Sequence, residues 1–278
     1  MSDKRLLVVD ADPAVHDLLS TILPREGRTI EDAFDGHQAL EHLKANPCDL
    51  VVAGQGNNGL GGVNLLRRLR AVRPDTKVIV AGELSREQVV GAIRHRAYSY
   101  FHKPLPAVPL AEMVQQALDS SSWRDDIRVI SGRPEWITLD IRCKIEAADR
   151  TTHFMKELEN DLAPQAREDV AGAFRELLMN AIEHGGKNDP RKRVRVSIIQ
   201  TAQSLMVLID DPGKGFSLDF LPHAAISNPE DSPIRHAEVR AEAGQRPGGF
   251  GILMTRNLVD EMMYNERGNA VLFVKYLR

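Results

Sequence analysis

The chain has 278 residues, a formal net charge of −3 at pH 7 and 27% charged residues. At about 150 residues per domain, this length predicts two domains, and the near-neutral charge gives no basic footprint for nucleic acid. The two cysteines, Cys48 and Cys143, are too few for a disulfide framework or a zinc site. Since neither a signal-peptide segment nor a run of about 18 apolar residues is present, we expect a cytoplasmic protein that binds neither nucleic acid nor membrane.

The first 120 residues alternate short apolar runs with helical patterns. The predicted strands are 6–9, 50–53, 78–81 and 98–101, and the predicted helices are 12–23, 36–45, 62–72, 85–96 and 107–119. Asp12 is a suitable N-cap, and Pro13 suits the first turn of a helix. Strands that alternate with helices predict a parallel sheet covered on both faces, with functional groups at the carboxyl ends of the strands.

Several marks in residues 1–120 belong to one known family. They are Val8-Val9-Asp10, Asp49-Leu50-Val51-Val52, the loop glycines Gly59 and Gly62, and Lys103-Pro104 after the last strand. The segment resembles a response-regulator receiver domain of the aspartyl phosphorelay family. The resemblance implies a flavodoxin-like, doubly wound α/β fold.

The same segment departs from the receiver pattern at its reactive positions. The second member of the family's acidic pair is Ala11, the phosphoacceptor position is Gly54, and the hydroxyl position after the fourth strand is Gly82. A phosphoaspartate needs a carboxylate nucleophile and a divalent ion, and glycine supplies no nucleophile. We therefore expect a pseudo-receiver that serves as a regulatory or partner-binding module, in which Lys103 has a structural role because its phosphoryl counter-anion is missing.

The rest of the chain predicts a linker at 121–132 and a second α/β domain at 133–278. The predicted elements are a strand at 136–141, helices at 147–160 and 166–184, a hairpin at 192–210 that turns near Gln203-Ser204, a helix from Gly249 whose period reaches Met262, and a strand at 270–277. Between the hairpin and the last helix lies a long segment, 217–247, without sustained periodicity. A loop of this length inside a compact domain indicates a functional lid.

The predicted helix at 166–184 carries a pair of polar side chains suited to nucleotide chemistry. Glu176 and Asn180 are four residues apart, so a helix places both on one face, with about 5–6 Å between their Cβ atoms. An amide oxygen can coordinate Mg²⁺, and a carboxylate can deprotonate an attacking hydroxyl. The plainer interpretation is the polar face of an amphipathic helix that ends at Gly185.

Two glycine motifs follow this pair in order. Asp211-x-Gly213-x-Gly215 comes directly after the apolar run 205–209, and Gly249-x-Gly251 opens a helical pattern. Glycines at a helix N-terminus let the backbone approach phosphate, and the free N–H groups and the helix dipole favour its negative charge. The three motifs together favour a nucleotide site over an ordinary helix face.

Residues 130–278 resemble the GHKL ATPase superfamily of gyrase, Hsp90, histidine kinases and MutL. The resemblance implies an α/β sandwich with a mixed sheet covered by helices, and an ATP lid at 217–247. It also implies a set of roles. Asp211 would accept a hydrogen bond from the adenine amino group, Gly213 and Gly215 would let the backbone approach the base and ribose, Asn180 would hold Mg²⁺, Gly249 and Gly251 would cradle the phosphates, and Glu176 would be the catalytic base. In the lid, His223, Arg235 and His236 could contact phosphate, although we expect them to be solvated.

The wording of 180–185 and the Leu-Val-Asp-Glu run at 258–261 are most similar to the anti-sigma-factor serine kinases. This resemblance implies an ATP-dependent serine/threonine protein kinase in a partner-switching pathway. Its partners would be an anti-anti-sigma protein of the STAS type, a sigma factor, or both, and a homodimer is a further option by analogy. The alternative is a non-catalytic, nucleotide-gated binding protein. A histidine kinase is disfavoured because His153 lies in a single predicted helix and no dimerising helix pair precedes the ATPase region.

Overall fold

The computed structural model describes residues 3–24, 26–54, 60–83, 85–216 and 251–277. The chain divides into two compact units, Met1–Asp125 and Asp126–Arg278. Within the described ranges, no helix combines the length and the apolar character needed to cross a bilayer.

The first unit is a five-stranded parallel sheet with helices between its strands. Its elements are β1 (Lys4–Val9), α1 (Pro13–Ile22), β2 (Arg28–Ala33), α2 (Gly36–Ala45), β3 (Leu50–Ala53), α3 (Gly62–Val72), β4 (Lys77–Gly82), α4 (Arg86–Arg94), β5 (Ser99–His102) and α5 (Ala107–Asp119). The strand order is β2-β1-β3-β4-β5, and the paired strands are parallel. The flavodoxin-like, doubly wound fold predicted from the sequence is therefore confirmed.

Local signals fixed the start of α1, and one strand of this unit escaped prediction. Asp12 caps α1 by accepting a hydrogen bond from the amide of Ala14 at 3.0 Å, and Pro13 is the first helical residue. The strand β2 was missed because Arg28–Ala33 is polar and lies at the sheet edge, where only Ala33 is fully buried. An edge strand has one partner and little core to bury, so it carries no continuous apolar run.

The first unit extends beyond the boundary predicted at residue 120. The Trp123 side chain is buried among residues of this unit, at 5.9 Å from the Tyr98 ring and 5.1 Å from the Arg70 guanidinium. Residues 127–132 belong instead to the first strand of the second unit. The predicted linker 121–132 is thus divided between the two units.

The second unit packs helices against a six-stranded sheet. Its elements are β6 (Ile127–Arg133), β7 (Trp136–Arg142), α6 (Ile145–Leu158), α7 (Pro164–Asn180) with a π-helical turn (Ala181–Gly185), β8 (Arg193–Gln200), β9 (Ser204–Asp210), α8 (Gly251–Leu258), β10 (Glu261–Tyr264) and β11 (Ala270–Tyr276). The strand order is β10-β11-β9-β8-β7-β6. Phe154 of α6, Phe174 of α7 and Phe273 of β11 are fully buried in its core.

The sheet of the second unit differs from the prediction in one respect. All of its described strand pairs are antiparallel, whereas a mixed sheet was predicted. Three hairpins account for most of these pairs. The connection from β7 to β8 contains two helices, α6 and α7. The first carries the chain away from the end of the sheet at which β7 stops, and the second brings it back to that end, where β8 begins. A single crossover helix would have made that pair parallel.

The C-terminal helix is shorter than its apolar period suggested. The structure ends α8 at Leu258 and places Met262 in β10, where it pairs with Phe273. The predicted helical run through Met262 is therefore wrong. Short apolar runs fit a helix and a strand equally well, and here hydrogen bonding to β11 decides for a strand.

Candidate functional site

The C-terminal end of α7 presents the predicted polar pair. Asn180 is the last residue of this helix, and its Nδ2 donates to Glu176 Oε1 at 3.3 Å. The π-helical turn follows at once, with the Gly186 amide bonded to the Ala181 carbonyl at 2.8 Å. Single π turns inside helices are rare and often accompany functional sites. Because the Asn180 amide group faces Glu176, its Oδ1 is left for another partner.

Asp211 follows directly after β9 and packs against two glycines. Its Oδ1 accepts a hydrogen bond from the Gly213 amide at 2.7 Å. A Cβ atom added to Gly185 would lie 2.1 Å from this oxygen, and one added to Gly213 would lie 2.6 Å from it. Burial raises the pKa of the Asp211 carboxyl, and the Gly213 amide partly offsets this effect. The π-helical turn and the first glycine motif are thus held together by a close approach that only glycine permits.

The turn between β10 and β11 supports Asp211 from the other side. Asn269 Nδ2 donates to the Asp211 carbonyl at 3.1 Å, and the Asp211 amide donates to the Asn269 carbonyl at 2.9 Å. Gly215 has a φ of +79°, and a Cβ there would lie 1.8 Å from the Arg267 carbonyl oxygen. Asn269 was not among the residues predicted from the sequence. Asn265 to Asn269 reads as a turn, but nothing local links that turn to Asp211.

The second glycine motif meets Glu176. Gly251 is the first described residue of α8, and a Cβ atom added to it would lie 1.8 Å from Glu176 Oε1. The backbone at the start of α8 therefore approaches the carboxylate closely. Gly249 and the predicted lid 217–247, with His223, Arg235 and His236, lie outside the described residues.

Tyr264 is a site residue that the sequence did not reveal. Burial, followed by the charges of Asp211 and Glu176, raises the pKa of its phenol to about 12. The ring packs edge-on against Phe216 at 5.2 Å between centroids. Tyr264 therefore lies within electrostatic reach of both carboxylates. Tyr264 lies between the predicted helix, whose period ended at Met262, and the predicted strand at 270–277, so no predicted element linked it to the site.

These residues fit a nucleotide. Glu176, Asn180 and Gly251 form one group, and Asp211, Gly185 and Gly213 form a second, with Tyr264 near the carboxylates of both. A helix N-terminus favours phosphate, and an amide oxygen suits Mg²⁺. Glycine at three of these contacts lets a carboxylate approach the backbone where a Cβ atom would clash with it. The arrangement can bind a base at one end and place phosphates beside a carboxylate at the other.

In the first unit, the carboxyl ends of the strands are filled by internal contacts. Asp10 follows β1, is 1% exposed and forms an ion pair with Lys103 Nζ at 2.7 Å. A Cβ atom added to Gly54, directly after β3, would lie 1.8 Å from Asp10 Oδ2. Lys103 therefore has a counter-anion, which corrects the expectation that it lacks one.

Tyr100 occupies the space beside Gly82. Its hydroxyl donates to the Glu83 carbonyl at 2.6 Å and lies 3.1 Å from Gln88 Oε1. A Cβ atom added to Gly82 would lie 2.5 Å from this hydroxyl oxygen. A side chain at position 82 and the present position of Tyr100 are thus mutually exclusive.

Comparison with known proteins gives a family match for each unit. Residues 6–115 match the response regulator receiver domain, and residues 141–275 match the histidine kinase-like ATPase domain. The nitrogen assimilation regulatory protein NtrX of Azorhizobium caulinodans is 30% identical over 127 residues, which cover 44% of this chain and 28% of that protein. The response regulator MprA of Mycobacterium ulcerans is 30% identical over 173 residues, which cover 62% of this chain and 65% of that protein. The chain thus spans less than two thirds of the length of these relatives.

Solved receiver structures are also similar. The receiver domain of NtrX from Brucella abortus is 32% identical, with a TM-score of 0.38, and covers 42% of this chain and 99% of that one. A CheY-like receiver domain protein from Methanospirillum hungatei JF-1 is 29% identical, with a TM-score of 0.40, and covers 42% of this chain and 95% of that one. With the two domain matches and the two folds, the chain combines a response regulator receiver domain with a histidine kinase-like ATPase domain.

Proposed function

We propose that this protein is an ATP-dependent serine/threonine protein kinase of the anti-sigma-factor type, acting in a partner-switching pathway. The observation that carries the proposal is the Glu176–Asn180 pair, set beside the first residue of α8. It places a carboxylate next to a helix N-terminus, where phosphate binds well. The protein substrate is a serine-bearing anti-anti-sigma protein of the STAS type, the alternative client is a sigma factor, and the chain acts as a homodimer.

The binding roles follow from which atoms are already engaged. Gly213 holds Asp211 Oδ1, so Oδ2 accepts the hydrogen bond from the adenine amino group. Asn180 donates through Nδ2 to Glu176, so Oδ1 is the atom that holds Mg²⁺. Gly251, with Gly249, approaches the phosphates, and Mg²⁺ neutralises their charge as in phosphoryl transfer generally.

Glu176 is the catalytic base. Its carboxylate takes the proton of the substrate serine as that hydroxyl oxygen forms a bond to the terminal phosphorus of ATP. The bond from that phosphorus to the oxygen of the ADP leaving group breaks in the same step, and Glu176 later passes its proton to water. A positioned general base contributes about 10²- to 10⁴-fold to such a rate.

The receiver unit acts as a regulatory or interaction module that takes no phosphate. Gly54 offers no nucleophile, and Lys103 pairs with Asp10. The carboxylate that would bind a divalent ion is therefore already neutralised from within the unit. A signal reaches this unit through a protein contact.

The test is transfer of labelled phosphate from Mg-ATP to a purified STAS-type protein by the full chain. We expect Glu176→Gln to lower the transfer rate by about 100-fold or more and to leave ATP binding unchanged. Glu183→Gln is the matched control, since Glu183 is an exposed acid in the adjoining turn. Unchanged transfer by Glu176→Gln would remove Glu176 from the role of base.

The same assay distinguishes the kinase from the second candidate function, a nucleotide-gated binding protein. If the wild-type chain binds ATP, transfers no phosphate to serine and still binds its partner only with nucleotide present, it is a nucleotide-gated binding protein. In that protein ATP would shift a conformational equilibrium and would not be consumed.

A further inference from the structure

A carboxylate, an imidazole and a thiol lie close together in the receiver unit. They are separate from the strand ends that carry Asp10, Gly54 and Gly82. Glu31 lies on β2, His42 in the last turn of α2, and Cys48 just before β3. Their ligand atoms all lie within 4.8 Å of one another. In the described part of the chain, this is the only such group of histidine, cysteine and acidic side chains.

Two of the three side chains are already oriented. His42 Nε2 and Glu31 Oε2 are 2.9 Å apart, and Arg5 donates to the other oxygen, Glu31 Oε1, at 2.8 Å. Arg5 therefore fixes the carboxylate and leaves Oε2 directed at the imidazole and the thiol. Metal-binding carboxylates in proteins are commonly held by an outer hydrogen bond of this kind.

The thiol lacks a strong partner of its own. Cys48 is 6% exposed, and its Sγ has only the Asn46 carbonyl at 4.0 Å as a hydrogen-bond acceptor among the described residues. Burial raises the pKa of this thiol to about 11. A bound cation would deprotonate it, since the thiolate is the form that ligates metal. The proton released in that step goes to the solvent.

The charged side chains next to these three residues already have partners, so a cation can bind among the three. Arg5 is engaged by Glu31, and the Arg73 Nε donates to the Leu43 carbonyl at 2.8 Å at the end of α2. Asp49 follows Cys48 and accepts a hydrogen bond from the Arg5 backbone amide at 2.8 Å. The Glu31 and His42 side chains are 25% and 24% exposed, so an ion can enter from the solvent side and keep a water molecule.

We propose that Glu31, His42 and Cys48 bind one zinc ion, with a fourth position open to water or to a ligand from a partner. Such a site needs only one cysteine beside a histidine and a carboxylate, so the cysteine count that spoke against zinc in the sequence does not exclude it. Thiolate, imidazole and a single carboxylate oxygen form a set that suits Zn²⁺ and does not suit Mg²⁺ or Ca²⁺, which prefer oxygen ligands. The ion replaces the present contact between His42 and Glu31. It ties the edge strand β2 to α2 and to the start of β3, so it stabilises the unit in proportion to its binding free energy.

The test is metal titration of the reduced full chain, with Zn²⁺ followed by calorimetry and Co²⁺ by absorbance. We expect one Zn²⁺ per chain and, with Co²⁺, a near-ultraviolet thiolate-to-cobalt charge-transfer band. Cys48→Ser abolishes the band. His42→Gln weakens Zn²⁺ binding by at least the roughly 10- to 100-fold that loss of an outer-shell partner costs.

Two matched controls leave the proposed site intact. Cys143→Ser removes the other buried thiol, and His37→Gln removes an exposed imidazole from the same helix. Both are expected to bind Zn²⁺ as the wild-type chain does. The proposal is overturned if no thiolate band forms, if Cys143→Ser removes it, or if Cys48→Ser and His42→Gln bind Zn²⁺ normally. Circular dichroism confirms that each variant is folded, and His42→Gln still decides the question if Cys48→Ser is not.

Discussion

The acidic side chains at the candidate sites of the two units have opposite environments. In the receiver unit Asp10 is buried and already paired with Lys103, and the glycines at 54 and 82 are closely covered by neighbouring side chains. In the ATPase unit Glu176 and Asp211 have hydrogen-bond donors but form no salt bridge among the described residues. A neutralised carboxylate has little left to offer a cation or a phosphoryl group. A carboxylate held by neutral donors keeps its charge available for a ligand.

The largest expected effect comes from a substitution that displaces the Asp211 carboxylate. Gly185→Ala places a Cβ atom 2.1 Å from Asp211 Oδ1, so the carboxylate must move from its place. We expect ATP affinity to fall by about 10- to 100-fold, since a hydrogen bond to a charged group contributes about 1.5–3 kcal/mol. Equilibrium binding of a fluorescent ATP analogue measures this change.

Gly172→Ala is the control for that substitution. Gly172 lies in the interior of α7, where an added Cβ would meet Leu258 Cδ1 at an ordinary 3.5 Å. We expect unchanged ATP affinity and a gain of up to about 1 kcal/mol in stability from the higher helix propensity of alanine. Equal loss of affinity in both variants would mean that the contact at Asp211 is not what the nucleotide site depends on.

The next prediction restores a carboxylate to the receiver unit. Gly54→Asp brings a second acid against buried Asp10, and Gly54→Ala brings only the Cβ atom, 1.8 Å from Asp10 Oδ2. Overpacking costs about 1–3 kcal/mol, and we expect the aspartate to cost more than the alanine. Urea unfolding in a Trp136→Phe background measures this, because Trp123 then reports on the receiver unit as the remaining tryptophan.

Phosphorylation of the same variants sharpens the comparison. We expect Gly54→Asp to take no phosphate from acetyl phosphate with Mg²⁺, because Lys103 neutralises the carboxylate that would hold the ion. Intact-mass spectrometry detects the product. A variant that is as stable as the wild type and gains a phosphate would contradict the view that this end of the unit is closed.

The smallest expected effect concerns His16, which supports Asp10. Its Nε2 lies 3.0 Å from the Asp10 carbonyl and its Nδ1 lies 2.7 Å from Asp32 Oδ1. Burial lowers the pKa of this imidazole, but the hydrogen bonds to Asp10 and Asp32 and the charges of the two carboxyl groups outweigh it, so the pKa is raised. A raised folded-state pKa stabilises the unit below about pH 6.5, and this contribution is lost as the pH rises through the raised value.

His16→Gln should therefore cost more stability in mild acid than in mild alkali. The free energy of unfolding is measured by urea titration in mild acid and in mild alkali, again followed through Trp123. His37→Gln, at an exposed position, is the matched control variant. If the His16→Gln penalty is independent of pH, the imidazole contributes through packing against Phe34 alone.

Much of this protein was determined by local sequence. Periodicity and turn residues located the receiver strands β1, β3, β4 and β5, and Asp12 and Pro13 marked the start of α1. The order of Glu176, Asp211 and Gly251 predicted the nucleotide site, and Gly54 alone excludes a phosphoaspartate at that position. The strand and helix predictions are confirmed because each depends on residues a few positions apart, whereas the roles of the site residues stay predictions.

Only the tertiary structure decided which side chains from distant segments come into contact. Asp10 meets Lys103, Asn269 supports Asp211, and Cys48 meets Glu31 and His42 only after the strands have paired. Three of the four edge strands, β2, β6 and β10, escaped prediction because they bury little and their pattern is weak, whereas the edge strand β5 was predicted from an apolar run that includes buried Tyr100 and Phe101. A contact between residues far apart in sequence leaves no local pattern, since backbone geometry fixes only the neighbours along a helix or strand.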